Sequence, residues 1–429
     1  MHISLDQALG RESSSPSRVG DRLLQIAGGA SAAYSLRSLT GNGGNAVRIR
    51  RSSDNVEVNV GFDGSGAVST TSPITNVTEP TTLDLGTSWV VATGSASSTT
   101  LSPLYSLAVS GASSGFQVRV PINQPPIPSG NTVTVSTVVT SVTGSWSIFL
   151  ADAGGSPSSN IATMANSVSL TTTNANSAYI YIRSNDSAGA IQLGFGFGAS
   201  YTVGDTTDTN LGDFISGTDA FVVTWYDQSG SGNDASQDTL NEQPKIADSS
   251  SGLITDPNGR TTISFDGSND DLDLPDVITS INSASSFNVC QNINYSSGTE
   301  IALALSRLSG GNRRWYLPAR TTNGWHFSYG PDFGSSSVRL VDAADTDEAQ
   351  HLFSGVAGSS TAKGYFDGVE KVSVSSVDTY LSQTEGGIGS HNGGSNWGGN
   401  ISEVVIYASD QTASLSDIHD NIKTYYDIS

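Results

Sequence analysis

Three groups of residues in this chain have types and spacing suited to chemistry. The first is the turn Trp225-Tyr226-Asp227-Gln228-Ser229-Gly230-Ser231-Gly232-Asn233-Asp234, which follows the apolar run Phe221-Val222-Val223-Thr224. A carboxylate at the end of a buried strand, presented by a glycine turn, is a natural general acid or base. The same carboxylate is equally suited to accepting backbone N–H bonds inside the turn, and the sequence favours that role for Asp227. The second group is Asp266, Asp270 and Asp271, with Asp273 close by. Their oxygens could hold calcium, but the spacing follows no closed ligand loop and fits a solvated acidic turn better, so no cofactor is expected, with calcium as the alternative. The third group is aromatic: Trp315-Tyr316, Trp325-His326-Phe327, Tyr329 and Trp397 lie in or near Gly- and Asn-rich stretches. A flat ring stacks on sugar C–H groups while amides bond hydroxyls. Most of these rings are expected to fill the sandwich core; Trp397, between Asn396 and Gly398, is the best candidate for an exposed ring, with His391, Asn392 and Asn396 as polar neighbours and Trp325 as a second ring.

Composition narrows the alternatives. Lys and Arg number 19 against 40 Asp and Glu, for a formal charge of −21. That balance argues against binding nucleic acid through its phosphates and against docking on anionic membranes. The single cysteine, Cys290, excludes an internal disulfide framework and a cysteine-based zinc site. The five histidines are dispersed without paired ligand spacing. No stretch approaches the ~20 apolar residues of a membrane-spanning helix, and the N-terminus carries no secretory pattern.

The elements that would position these residues are strands. Only 14% of the 429 residues are charged while 36% are apolar, and the 47 glycines separate short alternating runs. Two or three domains are expected at this length. Residues 1–30 read as an anchoring arm with a short helix, in which Leu5, Leu9, Val19, Leu23, Leu24 and Ile26 await a partner surface. Residues 31–72 hold an expected hairpin: Val47 and Ile49 alternate with Arg48 and Arg50, then Val56, Val58 and Val60 alternate again. Arg48, Arg50 and Arg51 are expected on its solvent face. Residues 73–205 change to Ser/Thr-rich strands almost without charge, the pattern of a complete inserted β-sandwich. Residues 206–259 return to a composition like that of 31–72, and residues 260–429 form a further β domain closed by a helix from Ser414 to Tyr426.

Two resemblances follow from these blocks. Ala33-Tyr34-Ser35-Leu36-Arg37, Val47-Arg48-Ile49-Arg50-Arg51-Ser52-Ser53-Asp54 and the Trp225–Asp234 turn resemble the catalytic-domain family of alpha-L-arabinofuranosidase B. Those blocks are close together in that family; here residues 73–205 intervene. Phe265-Asp266-Gly267-Ser268-Asn269-Asp270, Tyr365-Phe366-Asp367-Gly368-Val369 and Ile401-Ser402-Glu403-Val404-Val405-Ile406-Tyr407 resemble the concanavalin A and laminin-G type of jelly roll. The expected fold class is therefore all-β: an N-terminal arm with a short helix, an inserted β-sandwich, and a concanavalin A-like jelly-roll sandwich with a C-terminal helix. Chains that join such blocks to an arm like Arg18-Val19-Gly20-Asp21-Arg22-Leu23-Leu24 are similar to tail-fibre and surface proteins of marine bacteriophages.

The resemblances imply a function. A retaining glycosidase needs two carboxyl groups about 5 Å apart. The family's expected Gly-Gly-Asp has its nearest counterpart in Gly393-Gly394-Ser395-Asn396, where serine replaces the acid, and the family's vicinal cysteines are missing. The expectation is thus a non-enzymatic virion protein, made in the host cytoplasm and anchored by its N-terminus to other virion proteins. By analogy it would form trimers and display β-sandwich modules to a host surface glycan, without nucleic acid or membrane insertion. The alternatives are a glycoside hydrolase acting on arabinose-containing or host polysaccharide, and a head decoration or tail component without a ligand.

Overall fold

The computed structural model describes residues 22–429 apart from 42, 78–80, 83–84, 86–88, 102–106, 123–131, 153–154, 174–177, 194–197, 203–205, 279–282, 294, 296–297, 308–312, 331–336, 343–347, 359, 376–384 and 392–393. Nearly every regular element is an antiparallel strand, and the chain is an all-β, sandwich-like protein with a C-terminal helix.

The strand Gly398–Tyr407 organises the larger sheet network, and all ten of its residues are buried. Ala284–Asn292 pairs along one edge. On the other edge Ile263–Asp266 lies opposite Gly398–Ile401, and Ala32–Ser35 lies opposite Glu403–Ile406. The hairpin legible in the sequence is present, with Asn45–Arg51 paired to Glu57–Gly61. Ala220–Trp225 adds to its other side, bringing Trp225 opposite Val47. Strands from residues 31–72, 206–259 and 260–429 therefore share one hydrogen-bonded network. It runs across position 259/260, because Lys245 pairs with Ser264.

Neighbours on both edges change the fate of one arginine. Arg50, expected on the solvent face, is buried: Nε donates to Gln243 Oε1 (2.9 Å), Nη1 to Asn55 Oδ1 (2.7 Å) and Nη2 to Leu240 O (3.2 Å). Arg48 and Arg51 are half-buried; Arg48 pairs with nearby Glu57, and Arg51 with nearby Asp54 and with Asp208, far along the chain.

The C-terminal helix, Leu415–Tyr426, lays Ile418, Ile422 and Tyr426 on Phe287, Val289, Leu352, Val405 and Tyr407. The short helix Leu23–Ile26 joins the same apolar cluster. This corrects the assembly role expected for Leu23, which is fully buried within its own chain; Leu24 packs against that cluster and Ile26 is half-buried. The reason is a long-range contact: the C-terminal helix supplies the apolar surface that a partner was expected to provide. Leu5, Leu9 and Val19 lie outside the described residues.

Strands between Thr81 and Thr202 pair only with one another among the described residues, in two four-stranded sheets and one five-stranded sheet. The five-stranded sheet runs Ala162–Thr163, Trp146–Ala151, Tyr179–Ser184, Gln117–Pro121 and Val90–Thr93. Side chains alternate across its faces. Trp146, Ile148, Leu150, Ile180, Ile182, Val118 and Val120 point into the main core, while Phe149, Ala151 and Tyr181 form a separate cluster on the opposite face.

Candidate functional site

The Trp225–Asp234 turn is a junction. Asp227 Oδ1 accepts the N–H groups of Ala33 (2.8 Å) and Ser229 (2.8 Å), and its Oδ2 accepts Ser229 Oγ (2.7 Å) and the Asn233 N–H (3.1 Å). Gln228 Oε1 accepts the Leu39 N–H (2.8 Å), while its Nε2 donates to the carbonyls of Ser35 (2.9 Å) and Arg37 (3.1 Å). Asp234 Oδ1 accepts the Asp227 N–H (2.8 Å); burial foremost, with the Asp227 charge, raises its pKa. The three sequence blocks of the first resemblance thus meet at one place. A depression of about 500 Å³, lined by Phe62, Tyr226, Asp227 and Asp234 among others, opens beside the turn. Both Asp227 oxygens are already committed to the turn and the neighbouring strand.

The Asp266 cluster does not converge on a cation. Asp266 Oδ1 accepts the Ser268 N–H (2.7 Å), Asp270 Oδ2 accepts the Asp266 N–H (2.9 Å), and Asp271 takes Gln237 Nε2 and Ser390 Oγ. Among the described residues no three His, Cys, Asp or Glu side chains group as a metal site. Burial first, then the Asp266 charge, pushes the Asp270 carboxyl up to about 7.

Trp397 is the clearest correction. The best candidate for an exposed ring, it is completely buried, 5.8 Å from Trp325, which is itself 1% exposed and sits 4.8 Å from Phe353. The glycines beside Trp397 belong to a strand and not to a loop. At Gly399 a Cβ would lie 2.1 Å from the Gln291 carbonyl, so that position needs a glycine for close strand approach. His391 packs on Tyr316 (centroids 4.9 Å apart) in a tight turn closed with Gly394. Asn396 Nδ2 donates to the Ser268 carbonyl, and Asn392 lies outside the described residues. Trp397→Ala is expected to destabilise the fold by about 3–5 kcal/mol, as large-to-small core truncations do. Chemical denaturation measures this; a soluble variant of unchanged stability would show that the ring is not core.

A different cluster, with buried rings, carries two half-buried arginines on its outer side. On the outward face of the five-stranded sheet, Phe149 lies opposite Tyr181, Tyr181 opposite Arg119, and Arg119 opposite Val90, in one row across four strands. Phe149 and Tyr181 stack nearly parallel, with centroids 5.4 Å apart and planes at 12°. The Arg119 guanidinium lies 4.1 Å from the Tyr179 centroid, and its Nη1 donates to Tyr181 Oη (2.8 Å). Arg183 lies 5.2 Å from the Phe149 centroid. Both arginines are half-buried, and Arg119 Nε has no hydrogen-bond partner. Among the described residues neither forms an ion pair.

These two are the only Lys or Arg between residues 73 and 205. Phe149 and Tyr181 are buried beneath the two half-buried guanidiniums, and arginines packed on rings in this way can take oxyanions and sugar hydroxyls at low ordering cost. By contrast, a depression of about 220 Å³ over the sheet containing Leu107–Ala112 and Gly189–Leu193 is lined by Ser98, Ser110, Ser141, Gln192 and aliphatic residues, without a ring or charge. In the sequence, Tyr179 and Tyr181 register only as strand alternation. The signal that could have found the face is that two arginines in a nearly uncharged segment both share that alternation.

No family model and no curated protein matches the chain. Among solved structures it is similar to the Trypanosoma rangeli sialidase in complex with 2,3-difluorosialic acid (11% identity, 86% of this chain and 66% of that one, TM-score 0.36). It is also similar to truncated AlyQ with its CBM32 and alginate lyase domains (14% identity, 77% and 98%, TM-score 0.24). A third is the CBM22 tandem domain of Paenibacillus barcinonensis Xyn10C (9% identity, 78% and 100%, TM-score 0.20). The chain spans just under two thirds of the sialidase's length. At these values the similarities assign no activity. The expectation of a non-enzymatic protein does not stand: the matched solved structures include sialidases.

Proposed function

We propose that this chain is a glycan-binding β-sandwich protein whose recognition surface is the outward face of the Val90–Thr93, Gln117–Pro121, Trp146–Ala151 and Tyr179–Ser184 strands. One observation carries the reading: the only two cations of residues 73–205 lie together over three aromatic rings on that face, without an acidic partner among the described residues. Planar guanidiniums donate to vicinal hydroxyls and ring oxygens, and Tyr179, half-buried at the margin, offers a hydroxyl and a ring edge. A shallow sheet face suits a polymer better than a small molecule.

The test is a glycan panel of neutral and acidic polysaccharides probed with the full chain and with an Arg119→Ala/Arg183→Ala variant. The expected result is retention of at least one glycan by the native chain and a loss of about tenfold or more in the variant at unchanged melting temperature. No retained glycan, or equal retention by both, would refute the reading.

Display of this surface on a virion belongs to the same proposal. It is supported by the Arg18–Leu24 block and by the acidic, disulfide-free composition, with other virion proteins and a trimeric assembly as the partners. Antibodies against the chain should label purified particles, and unlabelled particles would remove that setting.

A further inference from the structure

The charge of the ligand follows from the same face, an inference that rests on the glycan-binding reading above. We propose that the saccharide is acidic, with carboxylate or sulfate groups on its sugars taken by Arg119 and Arg183.

Strand register brings the two cations together. Tyr181 is opposite Arg119 and Arg183 is opposite Gln117, so the two arginines are diagonal neighbours on one face of adjacent strands. Backbones at such positions are roughly 7–8 Å apart. Two like charges so placed repel one another, and among the described residues no carboxylate neutralises them. The aromatic rings fix the guanidiniums without cancelling their charge. A ligand bearing repeated negative groups relieves the repulsion; a neutral one leaves it in place.

Arg119 is half-buried, with its Nε turned inward and the fork held from below. Arg119 Nη1 is engaged by Tyr181 Oη, which fixes the orientation of the fork. A guanidinium so held keeps donors for an oxyanion, and such charge-assisted bonds are about twice as strong as neutral ones.

Selectivity for sugars over nucleic acid follows from the rest of the chain. Binding to a phosphate backbone draws on many cationic contacts, and two arginines in a chain of formal charge −21 supply too few of them. A saccharide held also through its hydroxyls and ring faces needs fewer.

Calorimetric titration of the full chain with matched pairs tests this: polygalacturonate against its methyl ester, and a sulfated galactan against the same polymer after desulfation. The expected result is about tenfold or greater preference for an acidic member, weakening as salt rises. Whether the carboxylate or the sulfate pair shows the preference identifies the source of the charge. Arg183→Gln, whose one described ring contact is with Phe149, should lose about tenfold for the acidic polymer and little for the neutral one. Arg183→Lys should recover part of the loss. Arg119→Gln should behave like Arg183→Gln, with its melting temperature reporting any damage to the Tyr181 contact.

Equal binding to acidic and neutral members, weakened to the same extent by the arginine changes, would overturn the charge inference while leaving the glycan-binding reading intact. Failure of every polysaccharide to bind would overturn both. Single-stranded DNA bound as tightly as the acidic polysaccharide would overturn the inference in favour of unselective polyanion binding.

Discussion

Glu403→Ala is expected to cost about 3–5 kcal/mol of stability, because it leaves a buried arginine without its counter-charge. Arg37 is 5% exposed and Glu403 0%. Their contact is a two-bond fork, Nε to Oε2 at 2.7 Å and Nη2 to Oε1 at 2.9 Å. Ser35 Oγ donates to Oε2 at 2.8 Å and Tyr426 Oη at 3.2 Å, while Arg37 Nη1 reaches Asn421 Oδ1 at 2.9 Å. The pair therefore ties the segment after the first strand to the central strand and to the C-terminal helix. A truncation that leaves Arg37 facing only Asn421 and the Tyr425 and Tyr426 rings removes the charge partner and two further acceptor contacts together. Against a typical total of about 5–15 kcal/mol, this loss is large enough to unfold a substantial fraction of molecules on mild warming. An Arg37→Met/Glu403→Leu double variant should recover much of it, since desolvating the charges also carries a cost. Urea denaturation measures both variants; a single-variant loss below about 1 kcal/mol would show that the pair does not join these elements.

Asp227→Ala is expected to cost about 2–4 kcal/mol, by stranding three backbone donors and one hydroxyl that the carboxylate satisfies. The effect is not confined to the turn, because one of those donors, the Ala33 N–H, belongs to the strand paired with Gly398–Tyr407. Asp227→Asn should cost less, retaining one acceptor oxygen. Proteolysis after limited warming should then cut near the Ala32–Ser35 strand in the alanine variant first. An Asp227→Ala protein with native stability would remove the turn from its structural role.

Much of the fold could be read from the sequence because strand alternation is written locally. Val47, Ile49, Val58 and Val60 lie in the expected hairpin, and Ile418 and Ile422 lie on the expected buried face of the last helix. What the sequence hid was non-local. Arg50 looks solvent-facing within its hairpin and is buried by residues 237–243, far along the chain. Leu23 looks unpartnered until the C-terminal helix arrives beside it. Trp397 misled for a different reason: glycines at 398 and 399 resemble a loop in one dimension, yet they allow a central strand to approach its neighbours closely. The Arg119 and Arg183 face was legible as alternation on two separate strands, but only pairing in space puts their charges and rings together.

The central claim is that glycan is held on this arginine face. Arginine-specific labelling of the full chain, with and without a saturating acidic polysaccharide and read by mass spectrometry, tests it most directly. Bound polysaccharide is predicted to shield Arg119 and Arg183 while labelling at Arg51 and Arg260 is unchanged. Shielding confined to other arginines, or none at saturation, would contradict it.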